Sequence, residues 1–107
     1  MDPLEKIEQL KAMAAGEPTD ELTFFLLGGE QLRVQMFRDA AAALERCIEL
    51  NPDHTAAYRL LGDAWRGAGE VDRAREAYRR AIQTAERTGD LQVAKEARVF
   101  LKKLEGT

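Results

Sequence analysis

Apolar side chains recur every three or four positions along most of this chain, and polar or charged side chains fill the positions between them. This spacing is typical of amphipathic helices that bury one face against a neighbouring element. Glycine, proline and asparagine interrupt the pattern at intervals, where helices are expected to end. The sequence therefore predicts an all-α fold of about six helices, which cover residues 3–15, 20–35, 38–50, 55–67, 71–88 and 91–104.

The middle of the chain contains an internal repeat. Residues 21–54 laid over residues 55–88 agree at seven positions, which are Leu26/Leu60, Leu27/Leu61, Gly28/Gly62, Ala40/Ala74, Ala43/Ala77, Arg46/Arg80 and Ile48/Ile82. An internal repeat of this length is the signature of stacked helical hairpins, so we predict two pairs of antiparallel helices. The repeated glycines would remove a side chain where the two helices of a pair cross, and Ala40 and Ala74 would do the same from the facing helix.

Two further helices are predicted to flank the repeats within a single domain, 1–107. Asp2 and Pro3 suit the start of the first helix, and its packing face is expected to hold Leu4, Ile7, Leu10 and Met13. This helix, 3–15, would take the place of the second helix of an incomplete preceding repeat. Residues 90–104 are expected to form a capping helix that packs through Leu91, Ala94, Ala97, Leu101 and Leu104.

The two copies share an ordered set of aromatic and small residues. In the second copy these are Tyr58, Leu61, Gly62, Trp65, Ala74, Tyr78 and Ala81, and in the first they are Phe24, Leu27, Gly28, Ala40, Leu44 and Pro52. This pattern resembles the tetratricopeptide repeat, a helical hairpin of about 34 residues. The resemblance covers residues 21–88 and implies a superhelical array of hairpins. The chain departs from the family pattern at Gln31, at Gln35 in place of a turn glycine, at Cys47 in place of an alanine, and at Glu86 in place of a closing proline.

The resemblance also implies where a partner would bind. In this family the first helix of each pair lines a concave groove, which assigns the groove of this chain to Leu22, Phe25, Gly29, Leu32, Arg33, Arg59, Asp63 and Arg66. The alternative is a merely solvated face, since Arg59 and Asp63 are four residues apart on a helix and can satisfy one another. Family members that hold a peptide carboxylate use lysine and asparagine in the first groove helix. Phe25 and Gly29 stand there instead, which indicates a different specificity.

The resemblance therefore implies a non-enzymatic protein-interaction or scaffolding module that binds a protein or peptide in this groove. Arg33 and Arg59 beside the groove would favour an acidic or carboxylate-bearing partner. The rival hypothesis is a self-associating structural unit, a homodimer in which a second copy covers Phe25 and Leu32.

Side chains for catalysis or metal binding are sparse. The chain has no serine, which excludes a Ser-His-acid triad. Cys47 lies in a run of inward alanines and is expected to be a buried structural thiol. The single histidine, His54, is expected to be a solvated side chain in a turn. With one cysteine and one histidine, we expect no metal site, no cofactor and no enzymatic activity.

Charge and hydropathy narrow the class of partner. The net charge of −3 is too small to indicate a nucleic-acid or membrane partner, although residues 1–54 are acidic, with 11 acidic and 5 basic groups. Acidic residues separate the arginines of residues 71–88, so this helix is expected to be a solvated outer face that binds no nucleic acid. The apolar run at 22–27 is too short to cross a membrane, and no signal peptide is recognisable. We therefore expect a cytoplasmic protein.

Overall fold

In the computed structural model, which describes residues 1–106, the chain forms six α-helices joined by short turns. They are α1 (Pro3–Gly16), α2 (Glu21–Arg33), α3 (Phe37–Leu50), α4 (Thr55–Gly67), α5 (Val71–Thr88) and α6 (Leu91–Glu105). These described residues include no strand, which confirms the predicted all-α class. None of the six helices is both long enough and apolar enough to cross a membrane.

The helices form two layers. α2, α4 and α6 contact one another in order along one side of the molecule, and each helix also packs against its neighbours in sequence. In the part of the chain that is described, the backbones of α1, α3 and α5 approach the helices of the first layer closely but do not approach one another closely. The backbones of α2, α4 and α6 do approach one another, so this side of the array is the shorter, concave one.

Side chains that accept backbone hydrogen bonds determine where four of the helices begin. Asp2, Asp20 and Asp90 cap α1, α2 and α6, each accepting a hydrogen bond from an N–H of the first turn. His54 caps α4, and its Nδ1 accepts a hydrogen bond from the Ala57 N–H at 3.3 Å. His54 is half-buried, so the expectation of a solvated turn histidine was wrong. Its ring nitrogen satisfies one of the amide donors that every helix start leaves unpaired.

The turn between α2 and α3 is made by Gln35, which has the left-handed backbone conformation, with φ of 64°. The matching turn between α4 and α5 uses Gly69, with φ of 79°. A residue that carries a Cβ is strained in this region by about 1–2 kcal/mol. Glycine adopts the same conformation without that cost. The first hairpin is therefore connected less favourably than the second.

Gln35→Gly is expected to stabilise the domain by up to about 1 kcal/mol, because relief of the Cβ strain outweighs the extra freedom that glycine gives the unfolded chain. Thermal unfolding followed by circular dichroism measures the gain, at about 4–8 °C per kcal/mol for a domain of this size. The matched control is Gln83→Gly in the exposed interior of α5, which should cost about 1 kcal/mol. Shifts of the same sign for the two variants would contradict this explanation.

The larger hydrophobic core lies among α3, α4, α5 and α6, and its largest fully buried side chains are Leu44, Cys47, Leu61 and Tyr78. Most of its other members are alanines, which allow the helix axes to approach closely. A smaller cluster of Ile7, Leu10, Leu27 and Ala43 joins α1 to the first hairpin.

Gly28 and Gly62 lie where the two helices of each hairpin cross. A Cβ on Gly28 would lie 2.7 Å from Cγ of Leu44, and a Cβ on Gly62 would overlap the ring of Tyr78. Both crossings therefore require glycine, as the repeat predicted. At each crossing a large side chain, Leu44 or Tyr78, fills the space beside the glycine and makes the closest contact. Near Gly28, Ala40 contributes only its backbone oxygen, 3.3 Å from the same Cβ position.

The predicted packing faces of the flanking helices are right for most residues, including the buried Ile7 and Ala97, and wrong for three of them. Leu4 and Met13 of α1 are exposed, and so is Leu91 of α6. Val93 is buried instead, and Phe100 packs against the larger core. Each flanking helix packs against the array on one side only. The apolar surface of the helix beside it therefore determines which of its residues are buried.

Candidate partner-binding surface

Four of the predicted site residues form a row along α2: Leu22, Phe25, Gly29 and Leu32, here called the α2 stripe. Their spacing of three or four residues places them on one helix face. Leu22 is 55% exposed, and a Cβ on Gly29 would meet no atom within 4 Å. Phe25 and Leu32 are half-buried, and both pack against the larger core. The stripe thus combines an apolar surface with an accessible stretch of backbone.

The aromatic residue of the α2 stripe is oriented by the start of α4. The ring centroids of Phe25 and His54 lie 4.4 Å apart, with the ring planes tilted by 38°. Contacts of this kind between aromatic rings favour a tilted or offset arrangement over a face-to-face one. The His54 ring therefore restricts the position of Phe25, so this side chain has a defined orientation at the junction of α2 and α4.

The three site residues predicted in α4 pair with one another. Arg59 donates a hydrogen bond to Asp63 at 3.1 Å, and Arg66 lies 3.5 Å from the second oxygen of the same carboxylate. The hydroxyl of Tyr78 also donates to Asp63, at 2.5 Å. Burial, together with this hydrogen bond, raises the pKa of Tyr78 well above its usual range. The arrangement matches the alternative in which Arg59 and Asp63 satisfy one another, and it ties α4 to α5.

The last helix also contacts these α4 residues. Glu96 of α6 lies 3.9 Å from the Arg59 guanidinium. The guanidinium of Arg66 lies over the ring of Phe100, 4.5 Å from its centroid, and that ring stacks on Tyr78 at 5.6 Å. Neither α6 residue was predicted from the sequence, because Glu96 is polar and Phe100 was not among the apolar residues assigned to the packing face. The eight predicted residues therefore form two groups, an accessible one on α2 and an internally paired one on α4.

The last residue of the predicted set, Arg33, has a side chain that is 71% exposed. Its guanidinium lies 3.1 Å from the carboxylate of Glu30, which also pairs with Lys6 at 3.1 Å. The hydrogen bond from Lys6 lowers the pKa of Glu30. Partial burial of the carboxylate opposes this shift, and the positive charge of Arg33 reinforces it. Arg33 is therefore a positive group beside the α2 stripe, whose exposed guanidinium pairs with a carboxylate that is only 14% exposed.

One exposed residue of α2 was not among the predicted site residues. Leu26 is 46% exposed, although its counterpart in the second repeat, Leu60, packs against the larger core. Leu22 and Leu26 are one helical turn apart and therefore adjacent on the helix surface. The described chain has a helix of the same layer after α2, namely α4, and none before it. This edge of α2 therefore presents apolar surface that the corresponding edge of α4 buries.

Cys47 is fully buried in the larger core. Burial raises the pKa of its thiol to about 11, and the nearby carboxylate of Glu21 adds to the increase. The thiolate is the nucleophilic form of cysteine. At neutral pH this side chain is therefore an unreactive thiol, in agreement with a structural role.

The five arginines of α5 have partners within the molecule. Arg73 lies over the Trp65 ring at 4.8 Å and Arg80 over the Tyr58 ring at 5.0 Å. The remaining three, Arg75, Arg79 and Arg87, pair with Asp72, Glu105 and Asp53 respectively. These contacts agree with a solvated outer helix. That the chain binds no nucleic acid stays a prediction.

Paired helices stacked in a curved array, with a glycine at each crossing, define the class of helical-repeat proteins. A sequence model of the tetratricopeptide repeat matches residues 25–90. The chain belongs to this family, which confirms the resemblance found in the sequence. Its members are generally non-enzymatic modules for protein–protein interaction or scaffolding.

Known relatives agree with this assignment. The chain is similar to a TPR repeat-containing protein of Pseudomonas aeruginosa, with 39% identity over 99 residues that cover 92% of this chain and 94% of the relative. It is also similar to the solution structure of a Bordetella parapertussis protein, with 32% identity, a TM-score of 0.80, and coverage of 92% of this chain and 86% of that one. A tetratricopeptide repeat domain protein of Salinibacter ruber gives 28% identity and a TM-score of 0.75, covering 84% and 91%.

Proposed function

We propose that the chain binds a peptide or protein segment along the α2 stripe, on the concave side of the array. The observation that supports this most directly is Gly29. Glycine in the interior of a helix costs about 1 kcal/mol relative to alanine, and no packing contact requires it here, because a Cβ would meet nothing within 4 Å. A ligand backbone that approaches α2 closely would explain why this position carries glycine instead of a residue with a side chain.

The proposed ligand is apolar at the positions that face the stripe. Exposed Leu22 and the accessible sides of Phe25 and Leu32 supply the contact, and full burial of one large apolar side chain contributes about 1.5–3 kcal/mol. An acidic group on the ligand would compete with Glu30 for Arg33, whose side chain is exposed. Such a contact would raise the association rate and its salt dependence more than the affinity.

The neighbouring glycines of α2 allow a matched stability test. Gly28→Gln should destabilise the domain by about 3 kcal/mol or more, because its Cβ would lie 2.7 Å from Leu44. Gly29→Gln should leave the stability unchanged or raise it by about 0.5 kcal/mol, since glutamine is the better helix former. Chemical denaturation of both variants measures the contrast. Comparable losses of stability would show that Gly29 is also needed for packing.

The binding surface can be located with peptides selected for their affinity. Peptides selected from a random display library on the immobilised domain are titrated into ¹⁵N-labelled protein. We expect the largest amide shifts at the α2 stripe and at Arg33. Shifts centred on α5, or a selection that enriches no sequence, would contradict the proposal. Phe25 and Leu32 are unsuitable for a first mutational test, because both pack against the core and their replacement would also change stability.

A second candidate function is self-association through the edge of α2. It is favoured by the exposure of Leu26, since the equivalent residue of the second repeat packs against the core. In a homodimer, a helix of the second copy would cover Leu22 and Leu26, as a neighbouring helix of the same layer covers the corresponding edge of α4. Sedimentation velocity over a range of concentrations tests this. Leu26→Lys should abolish a dimer and leave peptide binding unaffected, whereas a monomer at all concentrations would remove this candidate.

A further inference from the structure

Three side chains that commonly ligate metal ions converge where α2 begins, α3 ends and α4 begins. They are Glu21 in the first turn of α2, Cys47 in the last turn of α3, and His54 at the start of α4. One ligand atom from each lies within 4.8 Å of the other two. The three residues are far apart in the sequence, so no spacing pattern pointed to them. We call them the Glu-Cys-His cluster.

The cluster contains a buried polar atom with no partner. Oε2 of Glu21 is inaccessible to solvent and has no hydrogen-bond partner. Burying a carboxylate oxygen without a partner is unfavourable, and native proteins rarely leave such a group unpaired. The cost falls if a positive charge sits beside it. This unpaired oxygen is an observation separate from the convergence of the three ligand types, and it indicates the same ligand, a cation.

We propose that the Glu-Cys-His cluster binds one divalent transition-metal ion of the zinc class. A thiolate, an imidazole and a carboxylate are all established zinc ligands, and three protein ligands with a water in the fourth position is a known tetrahedral arrangement. Calcium and magnesium are disfavoured because both prefer oxygen ligands throughout. Zinc binds these ligands at about 2.0–2.3 Å. A separation within 4.8 Å therefore needs only a small inward rotation of the side chains.

Two local changes would accompany binding. A neutral imidazole has one unprotonated nitrogen, so His54 would give up the long hydrogen bond, 3.3 Å, that its Nδ1 accepts from Ala57. Cys47 would lose its proton to solvent, because the thiolate is the form of cysteine that binds a metal ion. Metal binding should therefore strengthen as the pH rises. The ion would also offset the repulsion between the thiolate and Glu21.

The expected consequence is structural. The ligands belong to three different helices, so a bound ion would join α2, α3 and α4 at one end of the array. An ion that binds the folded chain and not the unfolded chain raises the apparent stability by mass action. The site lies beside the α2 stripe through the contact of His54 with Phe25. It does not depend on the proposed peptide binding, and the two can be tested separately.

Cobalt and zinc ions are the probes for this site, used with the full chain free of any affinity tag. Titration with Co²⁺ should give a thiolate-to-cobalt charge-transfer band and d–d bands of tetrahedral intensity, saturating at one ion per chain. Zn²⁺ should displace the cobalt and raise the melting temperature, and a chelator should reverse that rise. The pH dependence of the Co²⁺ titration should show tighter binding at higher pH.

The variants can be chosen to preserve the fold. Cys47→Ala places the residue of the family pattern at this position, and His54→Asn keeps a good helix-capping side chain. Both should remain folded, and the charge-transfer band should be lost in Cys47→Ala. Cobalt affinity should fall by at least about tenfold in each. Glu17→Gln, an exposed change outside the cluster, is the control and should bind as the parent does.

Two results would overturn the proposal. One is a parent chain that shows no charge-transfer band and no stabilisation by Zn²⁺ at any pH at which it stays folded. The other is a folded Cys47→Ala variant that binds Co²⁺ as tightly as the parent, which would show that the ion sits elsewhere. Retained peptide binding in either case would leave the proposed function intact.

Discussion

Gly62→Leu is expected to unfold the domain, or to lower its stability by more than about 3 kcal/mol. Even the Cβ of the new side chain would overlap the ring of Tyr78. Tyr78 is fully buried, bonded to Asp63 and stacked on Phe100, so it has no free space to move into. Overpacking of a close-packed core costs about 1–3 kcal/mol for a few extra methylenes. Because the rigid Tyr78 ring lies directly against position 62, the loss of stability in this variant should be at or beyond the upper end of that range.

The control for this variant is Arg79→Ala on the outer face of α5. Arg79 forms an ion pair with Glu105 at 3.0 Å, and both side chains are about half exposed. Exposed pairs of this kind contribute about 0–1 kcal/mol, so the expected change is small. Thermal unfolding of both variants measures the difference, which should exceed about 10 °C. Equal melting temperatures would contradict the assignment of Gly62 to a helix crossing.

Deletion of residues 90–107 is expected to abolish cooperative unfolding or to cause aggregation. α6 packs against α4 and α5, and it covers part of the larger core through Val93, Ala97 and Phe100. Without it, the second hairpin would expose a continuous apolar face, and helical arrays need a terminal helix with a polar outer surface. The deletion also removes Asp90, which bonds to Thr55 at the start of α4.

Circular dichroism and sedimentation velocity test the truncated chain. We expect a broad, low-temperature transition together with concentration-dependent association. The control is deletion of Gly106 and Thr107 alone, which leaves α6 complete and should change neither measurement. A truncated chain that stays monomeric and melts at the parent temperature would show that α6 is a dispensable tail.

The helices and the glycine crossings could be predicted from the sequence because they depend on local and periodic signals. The spacing of apolar residues identifies the helices, and a repeat of Leu-Gly in register with a repeated alanine identifies a close crossing. The backbone conformation of Gln35 could be predicted from the repeat in the same way. Its place in the repeat was that of a turn glycine, and its backbone has the left-handed conformation expected there.

The remaining features depend on which surfaces meet in three dimensions. Phe100 of α6 packs inward because Tyr78 and Arg66 provide a site for it, and nothing in the local pattern ranks it above Leu91. The exposure of Leu26 follows from the absence of a preceding helix in the same layer of the described chain. The convergence of Glu21 and Cys47 with the start of α4 joins three helices, so residue spacing along the chain does not reveal it.

The most direct test of the account is the affinity of a selected peptide for Gly29→Gln. Gly16→Gln is the matched control, because it is the same change at another glycine with nothing within 4 Å of its Cβ, at the end of α1. Isothermal titration calorimetry should show binding at least about tenfold weaker for Gly29→Gln and unchanged for Gly16→Gln, with both variants as stable as the parent. Equal affinity of Gly29→Gln and the parent would contradict the claim that the α2 stripe is the binding surface.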